Sequence, residues 1–300
     1  MNTDPAPTHG LWADLARPGL APAQADFTIL GVPYEGGVSA RGGTAQAPAR
    51  LRFWSQHLTP FAEDRTPLGH LRLCDLGDHP VAQPEQDFPA LRERIRQMGN
   101  IPIVLGGDHS ISIPVIQAQL DRFSDRRLAL LWLDAHPDLC DFFNGSRFSH
   151  ACVLRRAIES GLRPQDVLLL GLRSWEDQEI PLLEKEPFRI YTAAQVAEKG
   201  IRAVLKEVRT WLHSYDAIHI SLDIDCLDPA FAPGTGIPEA GGLSTRELMM
   251  LMQGLRGFPL VGLDLVEVSP PLDSSEATIF AALRLILEFI ASAASSRKPA

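Results

Sequence analysis

Cysteine is scarce in this 300-residue chain. The four present, Cys74, Cys140, Cys152 and Cys226, form no CxxC pair, which excludes a disulfide framework and a zinc ribbon and points to reduced thiols. Positive charge is short as well: 28 Lys and Arg stand against 37 Asp and Glu, a net charge of −9. Nucleic acid and anionic membranes select for clustered basic residues, so neither is expected as a partner, and a small cationic substrate suits the balance better. No long apolar run is free of charge, since the most apolar one, LRLILEFIASAA at 283–294, carries Arg284 and Glu288. The N-terminal MNTDPAPTHGLW has no basic segment followed by an apolar one, and a soluble, cytoplasmic protein is expected. GxGxxG and P-loop spacings are missing, which removes the usual reasons to invoke nucleotides. Neither a fixed-period repeat nor a low-complexity linker divides the chain, so residues 1–300 are expected to form a single domain.

What the chain does contain is a series of short runs rich in Val, Ile and Leu, at 27–34, 71–78, 101–108, 128–134, 167–173, 188–193, 217–225 and 260–268. Continuous rather than alternating apolarity marks strands covered on both faces. Between them lie stretches with helical spacing, at 88–99, 110–123, 150–161, 193–213, 244–257 and 276–293. Strand alternating with helix predicts βαβ units and an α/β fold with a mostly parallel eight-stranded sheet. Periodicity alone leaves open whether that sheet closes into a barrel.

The chemistry lies at the carboxyl ends of three predicted strands: GGDHS at 106–110, DAHPD at 134–138 and SLDIDCLDP at 221–229. Ligand sites of parallel α/β folds occupy that edge. In an extended segment, positions i, i+2 and i+4 project to one side, so Asp134, His136 and Asp138 are predicted to converge, as are Asp223 and Asp225. One Asp at a strand end is ordinarily a cap or turn residue, but three such segments together have no capping explanation. With His109 they make a set of four carboxylates and two imidazoles, whose repulsion demands cations. Two divalent ions supply the matching charge, and the hard, oxygen-rich donors favour Mn²⁺ or a similar ion. Asp108 is expected to support a ligand histidine, Asp228 to turn the chain before Pro229, and His219 to be a hydrogen-bonded core residue.

GGDHS, DAHPD, SLDIDCLDP and VGLDLVEVSP, in that order, resemble the signature set of the arginase/agmatinase ureohydrolases. The likeness runs from GVPYEGGVSARGGTAQAPARLR near the start, through SHACVLRRA and GTGIPEAGGLS, to the last predicted strand and helix. It implies an open three-layer α/β/α fold and two Mn²⁺ ions, with Ni²⁺ or another divalent ion as the alternative. One ion would be held by His109, Asp134, Asp138 and Asp223, the other by Asp134, His136, Asp223 and Asp225, with Asp134 and Asp223 as bridges. Water activated there would attack a guanidinium carbon and release urea and an amine. The resemblance gives Asp138 a share in catalysis, makes Glu267 the carboxylate that orients the guanidinium, and makes His150 the proton shuttle. It also implies a homotrimer or homohexamer.

The loop 138–150 is expected to face the rest of the substrate, with Asn144, Ser146 and Arg147 joining His150 and Glu267 in binding it. Cys140 replaces an Asn of animal arginases, which weakens recognition of an α-amino acid, and Ala151 stands where many relatives carry Gly. Because EVSP and PGTGIPE resemble agmatinases, agmatine is the first expected substrate. Arg147 would favour a carboxylate-bearing one such as 4-guanidinobutanoate or 3-guanidinopropanoate. Other readings are an arginase, a formiminoglutamase, a guanidine hydrolase, a zinc deacetylase of related fold, or a non-catalytic metal-binding assembly protein. The deacetylase requires a paired-histidine motif that is missing, and the assembly protein requires a broken ligand set.

Overall fold

The computed structural model of the chain describes residues 4–296. Its strands are β1 (Phe27–Val32), β2 (Leu73–Asp78), β3 (Ile101–Gly106), β4 (Leu128–Leu133), β5 (Val167–Leu172), β6 (Arg189–Thr192), β7 (Ala217–Asp223) and β8 (Leu260–Val266). They form one sheet in the order β2-β1-β3-β8-β7-β4-β5-β6, and every pairing is parallel. The outer strands β2 and β6 do not pair with each other, so the sheet is open and the barrel is excluded.

Among the described residues eight helices lie between the strands and a ninth follows the last: α1 (Ala47–Ser55), α2 (Pro84–Arg96), α3 (Ser112–Arg122), α4 (Val153–Glu159), α5 (Ile180–Lys185), α6 (Ala193–Lys199), α7 (Ile201–Leu212), α8 (Thr245–Gly254) and, after β8, α9 (Ala277–Ala294). Alternate residues of a central strand serve opposite layers. In β4, Ala129, Leu131 and Leu133 pack into the cluster that holds Leu51 of α1, Val204 of α7, Leu248 of α8 and Leu283 of α9. Leu130 and Trp132 pack instead with Phe88 of α2, Ile113 of α3 and Val153 of α4. Both faces of the central sheet are therefore covered, which is why its inner strands read as unbroken apolar runs, while the edge strands β2 and β6 are only partly buried.

Three details depart from the sequence pattern. The helical stretch at 193–213 is two helices, because Gly200 takes φ +76 between them. The short helices α1 and α5 lie outside the predicted helical stretches. Glu288, a charge that interrupts the most apolar run, is fully buried in α9, where its carboxylate accepts from the Glu63 backbone N–H at 2.7 Å and from Gln253 Nε2 at 3.2 Å. That helix is long and apolar enough to cross a membrane, but 78% of it is buried against the rest of the chain, as a core helix is.

Strand order matters most for the site. β3, β8, β7 and β4 are consecutive neighbours in the middle of the sheet, so the residues that follow their carboxyl ends meet although they are far apart in the chain. The turn after β3 depends on Gly107, where an added Cβ would lie 1.6 Å from the Tyr34 carbonyl oxygen. Gly107→Ala should therefore destabilise the fold by roughly 3 kcal/mol or more, whereas Gly99→Ala, with nothing within 4 Å of the added atom, should stay within about 0.5 kcal/mol. Denaturant unfolding of the two variants checks this, and equal stabilities would refute it.

Candidate metal centre and active site

The backbone does not stay extended where parity was invoked. Asp134 and His136 follow β4 in a tight bend in which the His136 N–H donates to Asp134 Oδ1 at 2.6 Å. Asp223 ends β7 and caps the short turn behind it, its Oδ1 accepting from the Asp225 N–H at 2.8 Å. Turns, rather than strand alternation, bring these side chains together. Asp138 adopts φ +50 and Glu267 φ +60, a region that non-glycine residues occupy at a cost of order 1 kcal/mol and that recurs at functional sites. Asp138 is held there by its carbonyl, which accepts from the N–H groups of Leu154 and Arg155, while the buried Glu179 carboxylate accepts from the next N–H, that of Leu139, at 2.7 Å.

His109 sits at the centre. Its Nδ1 lies 3.1 Å from Asp134, 3.2 Å from Asp138 and 3.2 Å from Asp223, measured to Oδ2 of each. Yet neither Nδ1 nor Asp134 Oδ2 finds a hydrogen-bond partner, although both are buried. An imidazole nitrogen and carboxylate oxygens that converge without hydrogen-bonding one another suit a shared cation. The other ring nitrogen, Nε2, faces Ser221 Oγ at 3.0 Å, which donates in turn to Asp264, and the ring stacks on Trp132 with centroids 4.3 Å apart. A second group lies alongside, with His136 Nδ1 at 3.1 Å from Asp225 and 3.5 Å from Asp134. The two groups, His109–Asp134–Asp138 and Asp134–His136–Asp225, share Asp134.

Electrostatics agree with the geometry. Burial, together with the neighbouring charges of Asp225 and Asp134, pushes the Asp223 carboxyl well above the usual range. Burial and Asp134 raise Asp138 in the same direction. Burial opposes a charge on His109, but the carboxylates of Asp134, Asp138 and Asp223 outweigh it and raise the imidazole well above its ordinary value. A metal-free centre must therefore hold protons, which two divalent cations would displace.

Glu267 connects the metal-ligand cluster to the cavity above it. Its N–H donates to the Gly107 carbonyl at 2.9 Å, and its Oε1 accepts from the His109 N–H at 2.8 Å and lies 3.2 Å from His150 Nδ1. Burial disfavours charge on His150, yet the Glu267 carboxylate lifts it to about 9. The cavity reaches down to His136, Asp138, Asp223 and Asp225, with His150 and Glu267 beside them. Phe143, Trp175 and Ile237 add apolar wall, and Glu176, Glu179 and Glu239 add three more carboxyl groups, whereas no Lys or Arg among the described residues lines it.

The expected tail-binding residues fall elsewhere. Asn144, Ser146 and Arg147 do not line the cavity. Asn144 turns the chain with φ +48, and Ser146 Oγ accepts from the Phe148 N–H. Arg147 pairs with Glu159 at 2.9 Å and Asp141 at 3.4 Å. Asp108 contacts other groups than His109: its carboxylate accepts from the Gly37 N–H at 2.6 Å and the Ser110 N–H at 2.9 Å. Asp228 is the turn residue expected, accepting from the N–H groups of Ala230, Gly241 and Gly242. His219 is a core residue, its Nε2 2.6 Å from Asp264. Sequence reasoning missed Trp175, Glu176 and Glu179, whose one signal is their place just after the carboxyl end of a strand, and Ser39.

The sequence model of the arginase family matches residues 25–291. The chain belongs to the arginase family. Over 279 residues it is 34% identical to a guanidinobutyrase from Pseudomonas aeruginosa, covering 88% of this chain and 85% of that protein. An agmatinase from Proteus mirabilis is 33% identical over 280 residues, which is 89% of this chain and 87% of the relative. The structure superposes on the proclavaminate amidino hydrolase of Streptomyces clavuligerus with a TM-score of 0.88 at 27% identity, covering 98% of this chain and 99% of that one. This member of the arginase family is thus a ureohydrolase, an enzyme that hydrolyses guanidino or amidino carbon–nitrogen bonds, and it carries candidate ligands for a divalent metal centre. Asp134→Ala should leave a folded protein that binds divalent metal at least roughly a hundredfold more weakly, because one residue serves both ligand groups. Metal analysis after dialysis checks this, and full retention would contradict the shared role.

Proposed function

We propose that this ureohydrolase converts agmatine to putrescine and urea with a pair of divalent cations, Mn²⁺ being the ion the donor set suits best. The observation that carries the substrate choice is the cavity wall: three carboxyl groups, Glu176, Glu179 and Glu239, lie beyond the ligands, and among the described residues no Lys or Arg lines it. A guanidinium at one end and an ammonium at the other, joined by methylenes lying along Phe143, Trp175 and Ile237, complements such a wall. The carboxylate of 4-guanidinobutanoate would meet these carboxyl groups with no Lys or Arg beside them to pair with, since Arg147 is engaged with Glu159 and Asp141.

His109, Asp134, Asp138 and Asp223 would hold one ion, and Asp134, His136, Asp223 and Asp225 the other. When bound, such a pair supplies Lewis acidity and makes water a competent nucleophile near neutral pH. The chain's own groups do the rest. Glu267, fixed by the His109 N–H, accepts hydrogen bonds from the guanidinium and turns its planar carbon toward the aspartates. Water oxygen bonds to that carbon and gives up both its protons as it becomes the urea oxygen, the bond from carbon to the alkyl-bearing nitrogen breaks, and that nitrogen gains two protons to leave as an ammonium, one of them delivered by an acid at the site that water's protons restore. His150 is that proton's source, because Nδ1 points to Glu267, where the guanidinium docks, and the Glu267 carboxylate beside it favours the charged ring. A cytoplasmic homotrimer or homohexamer belongs to the same reading.

Urea release from agmatine, arginine, 4-guanidinobutanoate and 3-guanidinopropanoate tests it. Agmatine should exceed both carboxylate-bearing alkanoates by about tenfold or more in kcat/KM, which corresponds to one misplaced charge interaction of roughly 1.4 kcal/mol. Faster turnover of 4-guanidinobutanoate would overturn the assignment.

A further inference from the structure

Ser39 lies on the loop after β1 and lines the cavity. Its Oγ is 2.9 Å from His150 Nε2, at the opposite ring nitrogen from the one that faces Glu267. The loop that carries it is fastened on three sides. Two residues earlier, the Gly37 N–H donates to the buried Asp108 carboxylate at 2.6 Å, and the Gly37 carbonyl accepts from the His150 N–H and from Ser149 Oγ, each at 3.3 Å. Two residues later, Arg41 donates to the carbonyls of Thr235 at 2.9 Å and Gly236 at 3.1 Å. The hydroxyl is thereby placed against the imidazole by the turn after β3, by the chain entering α4 and by the loop after β7.

We propose that Ser39 is a positioning residue for proton delivery: it holds the His150 ring with Nδ1 toward Glu267 and gives Nε2 a partner in every protonation state the ring passes through. The proposal rests on His150 being the proton source. A charged ring carries hydrogen on both nitrogens, and Nε2–H donates to Ser39 Oγ. A ring that has released the Nδ1 proton still donates from Nε2. A neutral ring with its hydrogen on Nδ1 needs a donor at Nε2, and the serine O–H becomes one by rotating about a single bond. A hydroxyl serves all three forms, while a carboxylate or an ammonium serves only some of them and a methyl none. Without Ser39 the ring is tethered at one nitrogen only and swings, so that Nδ1 leaves its bearing on Glu267.

The test compares Ser39→Ala, Ser39→Thr, His150→Ala and the double variant Ser39→Ala/His150→Ala in the metal-loaded enzyme. Urea release is measured from whichever guanidine the wild-type enzyme hydrolyses fastest, and bound metal is analysed in parallel. Ser39→Ala should lower kcat by roughly tenfold, a part of the contribution of a general acid, with KM and metal content unchanged. Ser39→Thr should recover most of the loss, and Ser39→Ala should cost nothing further once His150 is alanine. A wild-type kcat in Ser39→Ala, a loss that multiplies with that of His150→Ala, or a parallel loss of metal would each overturn the role of Ser39 while leaving His150 as proton source. Should His150→Ala itself keep full kcat, the reading of His150 fails and the proposal falls with it.

Discussion

Four aspartates closing on two imidazoles at a buried sheet edge form the constraint on which the rest of this structure depends. Asp134, Asp138, Asp223 and Asp225 are all buried, and three of them approach a single imidazole nitrogen within 3.2 Å. Two like charges 4 Å apart repel by on the order of 4 kcal/mol even at an effective dielectric constant of about 20, and several such pairs coexist here. Protons relieve part of that repulsion, which is why burial and neighbouring carboxylates raise Asp223 and Asp138. Two imidazolium rings cannot neutralise four carboxylates, and the His109 Nδ1 hydrogen-bonds none of them. A pair of divalent ions matches both the charge and the converging lone pairs.

Keeping such a cluster together requires a scaffold that does not yield. The central order β3-β8-β7-β4 sets the ligand-bearing turns side by side, and cores on both faces fix the strands. Loop-to-loop hydrogen bonds complete the frame: Asp108 holds Gly37, Glu179 holds Leu139, and Arg41 holds Thr235 and Gly236. Left-handed backbone at Asp138 and Glu267 aims two carboxylates that relaxed chain would direct elsewhere, and the strain persists because the surroundings over-determine it. The same frame sets Glu176, Glu179 and Glu239 along the cavity beyond the ligands.

The six inner strands were legible because burial on both faces writes an unbroken apolar run, whereas the edge strands β2 and β6 are only partly buried and carry polar residues. The converging ligands were legible because Asp and His gather immediately behind those runs, even though tight turns at Asp134–His136 and Asp223–Asp225 replace the extended geometry from which they were read. Helix 193–213 was misread as continuous because Gly200 costs a helix only about 1 kcal/mol in propensity, too weak a signal against strong flanking periodicity. The cavity wall was the least legible part. Glu239 and Ser39 lie within segments that carry the family likeness, GTGIPEAGGLS and GVPYEGGVSARGGTAQAPARLR, but neither segment says which side chain faces the cavity, and Trp175, Glu176 and Glu179 belong to no motif and gain meaning only from contacts between loops distant in sequence. Arg147 misled for the converse reason: its partner Glu159 is one helix further on, and nothing local in the chain announces the pair.

The binuclear reading is tested most directly by stripping the protein of metal, titrating it with Mn²⁺ and recording electron paramagnetic resonance at saturation. Two equivalents per chain with the spectrum of an exchange-coupled pair, ions roughly 3.5–4 Å apart, is the expected result. Saturation at one equivalent, with the spectrum of an isolated ion, would contradict it.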